Sequence, residues 1–290
     1  MTSSGTVCLT FDFDAVSLWI SRNMLTPTPV SRGEFGAAAV PRLLDLLSER
    51  NILSTWFIPG HTVETYPEVC REVVAAGHEV GLHGYAHENV GTLDERQERE
   101  MFHRIYGLVG DLAGVPPKGN RAPAWDLTPH TVDIMLELSL VYDSSLMGND
   151  FSPYYVRRGD KIPRDAPLSF GEETSLVELP VSWSLDDYPH LEYLRLPHAV
   201  MPGLKMPEDM FRNWTDDIRY MLRDFTDGVL VVTFHPQVIG RGHRMLGFER
   251  WLDELISMDV AFERLDGVAE RYLEGRSYGG YSPRQGGRRR

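Results

Sequence analysis

Two carboxylates follow a short apolar run near the start of the chain. Residues Thr10 to Asp14 read TFDFD and come directly after Val, Cys and Leu. Charge at the end of a buried strand is costly unless it binds something. In a strand, Asp12 and Asp14 point to the same side, so they could share one cation or be divided between a cation and a substrate. A polar strand end with a turn-forming Asp is the alternative for this motif alone.

Two histidines four residues apart follow another apolar run. His83 and His87 stand at the ends of the sequence HGYAH, and this spacing places two residues on the same side of a helical turn. Two neutral imidazoles and one carboxylate form a ligand set for a divalent transition metal that leaves positions open for water and substrate. Solvated surface histidines are the alternative for HGYAH alone.

Two later segments place ionisable side chains in the same way. Arg121 begins the sequence RAPAW, and His235 follows the apolar run Val229 to Phe234 in the sequence FHP. A single Arg is usually a solvated charge, and a single His at a strand end is usually structural. All four segments, however, set their ionisable residues at or just after the end of a predicted strand, where parallel α/β barrels assemble active sites. We therefore expect these residues to form one site.

The elements that carry these segments follow the pattern of repeated βα units, which is typical of a largely parallel sheet. Short apolar runs predict strands, and apolar residues at spacings near three and four predict helices. The predicted strands are Val7 to Phe11, Thr55 to Ile58, Glu79 to Leu82 and Val229 to Phe234, and the predicted helices are Phe35 to Ser48, Pro67 to Ala76, Leu93 to Leu112, Thr128 to Leu140 and Glu208 to Phe225.

One domain is expected over residues 1–277. Barrels of about 200–250 residues fold as single units, and no internal repeat or Ser- or Gly-rich linker divides this part of the chain. Residues 149–175 are rich in Pro, Gly and charge, which predicts a surface excursion that could roof the site. Residues 278–290 hold four Gly and four Arg with little apolar content, which predicts a flexible basic tail.

Charge and composition exclude several kinds of partner. The formal charge of −13 repels phosphate backbones, so no nucleic-acid partner is expected. No run of about 18 apolar residues predicts a membrane span, and Met1 to Val7 show no export signal, so a cytoplasmic protein is expected. Only Cys8 and Cys70 are present, too few for a disulfide framework. The sequence leaves the oligomeric state open, including a homo-oligomer.

The order and spacing of the four motifs resemble those of the polysaccharide deacetylases, carbohydrate esterase family 4, also known as the NodB homology domain. Members carry TFDDG, HSxxH or HTxxH, RxPxW, a less regular fourth motif and LxxHP, in this order. The matching segments run from Val7 to Pro236. The resemblance implies an α/β fold, a distorted (β/α) barrel with about seven strands, and one divalent transition metal, most often zinc, with cobalt or nickel as alternatives.

The resemblance also implies a division of labour. One carboxylate and two imidazoles would hold the metal, a second carboxylate beside an arginine would act as base, and a histidine would act as general acid. By matching positions these are Asp14, His83 and His87 for the metal, Asp12 as base, Arg121 beside it, and His235 as acid. Trp125, Trp183 and, from the excursion, Tyr154 are the predicted substrate-binding residues, with core packing as the alternative for the tryptophans.

Two departures from the family pattern bear on the substrate. Phe13 separates the two carboxylates, which are adjacent in most members, and Gly84 stands where Ser or Thr is usual. Both features resemble an intracellular branch that includes peptidoglycan deacetylase-like enzymes and relatives that open cyclic imides or allantoin.

The predicted function is therefore a metal-dependent hydrolase of carbon–nitrogen bonds other than peptide bonds, which removes N-acetyl groups from an amino sugar. The alternative is a cytosolic amidohydrolase that opens a small cyclic imide or ureide, and a barrel that only binds or scaffolds is a third hypothesis. The missing export signal and the excursion over residues 149–175 predict a small-molecule or single-sugar substrate rather than assembled cell-wall polymer.

Overall fold

The structure of the protein is a computed structural model that describes residues 5–195, 199–258 and 260–282. A curled sheet forms its centre. Its strands are β1 (Thr6–Asp12), β2 (Thr55–Ile58), β3 (Glu79–Leu82), β4 (Gly119–Asn120), β5 (Tyr142–Asp143), β6 (Tyr154–Arg158), β7 (Glu172–Glu178), β11 (Val229–Phe234) and β12 (Ala261–Phe262). They lie in the order β11-β1-β2-β3-β4-β5-β7-β6, with β12 paired to β1.

Helices connect the parallel strands, as βα units require. None of the helices in the described residues combines the length and apolar character that crossing a membrane requires. They are α1 (Ser17–Ser21), α2 (Pro27–Glu49), α3 (Gly60–Thr65), α4 (Pro67–Ala75), α5 (Glu95–Ala113), α6 (Thr131–Glu137), α7 (Asp187–Leu191), α8 (Pro207–Asp224), α9 (Pro236–Ile239), α10 (Gly242–Ser257) and α11 (Leu265–Leu273). Two small antiparallel pairs complete the fold, β8 (Leu194–Arg195) with β9 (Val200–Met201) and β10 (Phe225–Thr226) with β13 (Gly280–Tyr281).

Seven strands of the sheet path, from β11 to β7, are parallel, and β6 is antiparallel at the edge. The predicted distorted (β/α) barrel with about seven strands is therefore confirmed. In the described residues, the seam between β7 and β11 is bridged by a single β-bridge, Asp186 with Thr233. This bridge fixes the loop after β7 beside the end of β11.

The predicted and observed bounds agree best for strands that are buried on both faces of the sheet. The strands over 55–58, 79–82 and 229–234 have the predicted bounds, and every residue in them is buried. The first long helix begins at Pro27 rather than Phe35, because proline is favoured in the first helical turn. The helix predicted over 128–140 covers only Thr131–Glu137, and its continuation is broken at Ser139, which has a φ of 57°.

Two predicted surface segments contain regular or buried parts in the structure. Residues 149–175 form much of the β6–β7 hairpin, which extends the edge of the sheet, because Tyr154 pairs with Glu178. The predicted tail does not begin at Tyr278, whose side chain is buried and accepts a hydrogen bond from Arg271 Nε at 3.1 Å. Residues 283–290 of that predicted tail lie outside the described residues, and the single-domain division over 1–277 stays a prediction.

Aromatic rings fill the core beside β11. Phe234 is fully buried, and its ring centroid lies 4.6 Å from that of Phe248 and 5.3 Å from that of Trp214. We expect Phe234→Ala to lower the free energy of unfolding by about 3–5 kcal/mol, because the cavity it leaves cannot collapse among large rings. Chemical denaturation measures this change. The matched control is Phe170→Ala, whose ring is 67% exposed; it should change stability by about 0.5 kcal/mol or less, and an equal loss in both variants would contradict this packing.

Candidate metal centre and active site

The carboxyl ends of four parallel strands bring the predicted site residues together. Asp12 ends β1, His83 follows β3, Arg121 follows β4, and His235 follows β11. All four side chains are buried. They meet at one edge because neighbouring parallel strands end on the same side of the sheet.

Asp14, His83 and His87 lie close enough to hold one metal ion. Their ligand atoms are within 4.8 Å of one another, and Asp14 Oδ1 lies 3.3 Å from His83 Nε2 and 3.8 Å from His87 Nε2. Among the described residues, both oxygens of Asp14 and the Nε2 atom of His83 are buried without a hydrogen-bond partner. Buried polar atoms are seldom left in this state. The residues therefore fit a divalent cation, which would satisfy all three atoms.

Each histidine of this group can present a lone pair to a cation. His83 Nδ1 lies 2.7 Å from the carbonyl oxygen of Arg121, and since a carbonyl only accepts, Nδ1 carries a proton and Nε2 is the atom that faces the site. Burial alone would lower the pKa of His83, but Asp12 and Asp14 raise it, so a cation would compete with a proton for Nε2. Burial lowers the pKa of His87 to about 4. Burial alone would raise the pKa of Asp14, but the surrounding imidazoles, His87 foremost, hold it well below its usual range. The group thus presents one anion and imidazole lone pairs.

A turn, and not the predicted helical turn, brings the two histidines together. Gly84 has a φ of 63° and His87 a φ of 57°, and the carboxylate of Glu88 accepts two backbone N–H groups of the turn at 2.9 Å each. A Cβ atom at Gly84 would lie 2.9 Å from Pro123 Cγ. Glycine is therefore required at this position by both its backbone conformation and its close neighbour.

Asp12 is held by a fully buried arginine. Arg121 Nη1 donates to Asp12 Oδ1 at 2.9 Å and to Thr10 Oγ1 at 2.7 Å. The guanidinium is itself fixed by Ser144, since Nε donates to the carbonyl oxygen and Nη2 to the hydroxyl, each at 2.9 Å. Asp12 Oδ2 lies 3.8 Å from His83 Nε2. One oxygen of Asp12 is thus anchored while the other faces the candidate metal ligands.

The carboxylate of Asp187, which the sequence motifs did not predict as a site residue, orients His235. His235 Nδ1 donates to Asp187 Oδ1 at 2.9 Å, and the His235 backbone N–H donates to both oxygens of Asp187 at 3.1 Å. Its other nitrogen, Nε2, lies 3.7 Å from Asp14 Oδ2. Burial alone would lower the pKa of His235, but Asp186 and Asp187 overcome this effect and raise it to about 10. The imidazolium is thus held ready to donate a proton from Nε2.

Asp186, Asp187 and His235 form a second group whose ligand atoms lie within 4.8 Å of one another. This group differs from the first because His235 Nδ1 and Asp187 Oδ1 are already hydrogen-bonded to each other. These two atoms therefore do not need a metal ion to satisfy them. The sequence signal for it is the pair of adjacent carboxylates in the segment SLDDY, directly after Trp183. Adjacent acids beside an aromatic residue in a loop after a strand are the feature that could have identified them.

A small cavity of about 90 Å³ opens onto these groups. Trp125 and Trp183 line it as predicted, and their rings stack with centroids 4.3 Å apart. Trp125 is buried, whereas Trp183 is 47% exposed at the mouth. Consecutive residues Ala124 and Trp125 both have a φ of 54°. Such strained backbone is concentrated at functional sites, where the surrounding structure enforces it.

Tyr154, the third predicted substrate-binding residue, is not among the described residues that line this cavity. Its phenolic oxygen accepts a hydrogen bond from the Gly148 backbone N–H at 3.1 Å. Its strand, β6, lies at the edge of the sheet. Among the described residues, the cavity wall includes no member of the segment 149–175. A roof formed by this segment and the preference for a small substrate both stay predictions.

Loss of the Asp187 carboxylate should weaken proton donation by His235. We expect Asp187→Asn to lower kcat by about 10- to 100-fold, part of the 10²–10⁴ typical of general acid catalysis. The basic limb of the pH–rate profile should move to lower pH, because removing this anion lowers the pKa of His235 and the imidazolium is lost sooner as pH rises. Asp216→Asn, at an exposed carboxylate on α8, is the control. An unmoved basic limb would argue against this role.

Comparison with known proteins gives the same family throughout the chain. The polysaccharide deacetylase family model matches residues 1–142. The peptidoglycan deacetylase of Helicobacter pylori is 38% identical over 91% of this chain and 94% of its own length, and a peptidoglycan deacetylase-like protein of Gibberella zeae is 32% identical over 92% and 86%.

Solved structures agree with these relatives. A candidate polysaccharide deacetylase from Mycobacterium smegmatis is 31% identical and superposes with a TM-score of 0.79 over 100% of this chain and 96% of its own. An allantoinase shares the fold, with a TM-score of 0.76 and 20% identity over 94% of this chain and 92% of its own. The predicted resemblance is confirmed, and the chain belongs to the polysaccharide deacetylase family, whose peptidoglycan deacetylases are hydrolases of carbon–nitrogen bonds other than peptide bonds.

Proposed function

We propose that the protein is a zinc-dependent N-deacetylase that removes acetyl groups from an amino-sugar substrate. The observation that carries this proposal is the convergence of three features on one cavity: the Asp14, His83 and His87 group, Asp12 anchored by Arg121, and His235 held by Asp187. The names of the relatives, peptidoglycan deacetylases, support amino sugars as the substrate class. One carboxylate and two imidazoles suit zinc-like ions better than Mg²⁺, and cobalt or nickel would suit the same donors.

The residues of this chain divide the proton transfers that amide hydrolysis requires. A bound zinc ion would supply Lewis acidity, which lowers the pKa of water and polarises the amide carbonyl. Asp12 accepts the proton that water gives up, and Arg121 holds its carboxylate in place. His235 donates its Nε2 proton to the nitrogen as the carbon–nitrogen bond breaks. The sum is water plus N-acetyl sugar giving acetate and a free amino sugar.

The shape of the cavity limits what enters it. A volume of about 90 Å³ accommodates an acetamido group rather than a whole sugar ring. The half-exposed Trp183 stands at the mouth, where its ring offers an apolar face to a sugar. We infer that the acetyl group enters the cavity while the remainder of the sugar stays at the entrance.

A hydrolysis screen with controlled metal content tests the proposal. Acetate and free amine are measured with N-acetylated amino sugars from monomer to longer oligomers, and cyclic imides and ureides are assayed beside them. We expect turnover of acetylated sugars that is lost on chelation and restored by one equivalent of zinc. Turnover of imides or ureides alone would support the amidohydrolase alternative, and no turnover with zinc, cobalt or nickel would contradict catalysis. A kcat/KM that rises steeply with oligomer length would contradict the predicted preference for small substrates.

A further inference from the structure

An arginine on the wall of the catalytic cavity has no carboxylate partner among the described residues. Arg22 follows the last residue of α1 and lines the same cavity as His87 and His235. Its Nη1 donates to the hydroxyl of Tyr188 at 2.7 Å, which is its single hydrogen bond in the described part of the chain. Its guanidinium also lies 5.4 Å from the ring centroid of Tyr188 and 6.0 Å from that of Trp19. These contacts hold the cation in place without neutralising it.

The other cations around the cavity have carboxylate partners. Arg121 is paired with Asp12 at 2.9 Å, and His235 Nδ1 lies 2.9 Å from Asp187 and 3.4 Å from Asp186. The carboxylate of the candidate metal group would be neutralised by the ion it fits. Among the described residues, Arg22 is therefore the cation on this wall that has no carboxylate partner.

A neighbouring arginine, Arg32, has the carboxylate partner that Arg22 lacks. Arg32 stacks on Trp19 with its guanidinium carbon 4.6 Å from the ring centroid, and it pairs with the carboxylate of Glu192. Arg22 lies against the other aromatic neighbour, Tyr188, whose hydroxyl is neutral and satisfies one of five guanidinium N–H donors. The remaining donors of Arg22 are open to a ligand.

The chemistry of that ligand follows from the donor and from the acids nearby. A guanidinium fork matches a carboxylate in a planar, two-point arrangement, and charge-assisted hydrogen bonds are the stronger ones. A dianionic phosphate would also meet the carboxylates of Asp12 and Asp186, which line the same 90 Å³ cavity. A carboxylate is smaller, carries a single charge and so meets less repulsion from these acids, and it matches the guanidinium fork in two points. The site therefore favours a carboxylate.

We propose that Arg22 is a specificity-determining residue that selects amide substrates bearing a carboxylate beside the scissile amide. This inference rests on the proposed deacetylase function and deepens it. A neutral substrate leaves the partly desolvated guanidinium without an anion, whereas a carboxylate compensates it. The preference should appear chiefly in KM, because the contact is made equally in the ground state and the transition state.

A matched pair of sugars tests the inference. N-acetylmuramic acid and N-acetylglucosamine carry the same acetamido group and differ by one carboxylate-bearing ether. We expect Arg22→Gln to lower the ratio of kcat/KM for the first sugar over the second by about 10- to 100-fold. Arg22→Lys should retain part of the ratio, since it keeps the charge and loses the fork. Arg96→Gln, an exposed arginine paired with Glu100 on α5, should leave the ratio unchanged.

Two outcomes of these kinetics would overturn the inference. If Arg22→Gln changes the ratio of kcat/KM values by less than about twofold, Arg22 does not bind the carboxylate of the substrate. An equal loss on both sugars would place Arg22 at the shared acetamido group instead.

Direct binding separates failure of this inference from failure of the proposed function. Calorimetry with N-acetylmuramic acid uses zinc-treated Asp12→Asn protein, with and without Arg22→Gln, so that turnover does not interfere. We expect the second change to raise Kd by about 10- to 100-fold. If wild-type protein hydrolyses neither sugar, the proposed function is contradicted, and the inference still stands or falls on calorimetry. Equal Kd values in the two proteins would overturn it.

Discussion

Asp12→Asn protein is expected to keep a full equivalent of metal and to lose about 10²- to 10⁴-fold in kcat, the range that general base catalysis supplies. Asparagine has nearly the same shape, and its carbonyl oxygen can still accept the 2.9 Å hydrogen bond from Arg121. It cannot accept a proton from water. Steady-state kinetics on an acetylated amino sugar and metal analysis of the same sample measure the two parts of this prediction.

The structure explains why this change should leave metal binding intact. Asp12 Oδ1 is committed to Arg121, and Oδ2 is 3.8 Å from His83 Nε2. Asp14 lies closer, with Oδ1 3.3 Å from the same nitrogen and neither of its oxygens hydrogen-bonded among the described residues. Equal metal loss in Asp12→Asn and Asp14→Asn would show that both carboxylates are ligands, and this division of roles would be wrong. Asp216→Asn, an exposed carboxylate, serves as control for both measurements.

Sequence patterns predicted the parts of the fold and the site that depend on local information. The strands over 55–58, 79–82 and 229–234 are buried apolar runs, so their composition alone set their bounds. The residues placed at their ends, such as His83 and His235, inherit a common location, because parallel strands end on one side. Local composition and the common end of parallel strands were therefore enough to predict that the main residues of the site lie together.

Contacts between distant segments were beyond this reasoning. Asp187 reaches His235 because the loop after β7 is bridged to β11, which no local pattern records. Strand β7 itself begins with exposed residues at Glu172 and Glu173, so it lacks the apolar run that identified other strands. The position of Tyr154 outside the cavity lining has a related cause, because hairpin pairing, and not composition, sets where its ring points.

Asp14→Ala and His87→Ala proteins are each expected to lose the zinc equivalent that the wild-type protein binds. Removing a hydrogen-bond partner of a metal ligand typically costs 10- to 100-fold in affinity, about 1.4–2.7 kcal/mol, and removing a ligand should cost more. Asp14→Ala leaves only two imidazoles, whose ring centroids are 5.1 Å apart, without the anion that balances the ion's charge. Competition with a zinc chelator measures the change in Kd.

Thermal unfolding supplies a second readout for the same ligands that does not depend on activity. A metal that binds only the folded state stabilises it by RT ln(1 + [L]/Kd), so added zinc should raise the Tm of wild-type and Asp12→Asn proteins. It should not raise the Tm of the Asp14→Ala or His87→Ala proteins at the same concentration. Because Asp14 is fully buried beside three imidazoles, its loss could also alter stability directly, and the comparison is therefore of each protein with and without zinc. A full zinc equivalent held with wild-type affinity by either alanine variant would show that the ligand assignment is wrong.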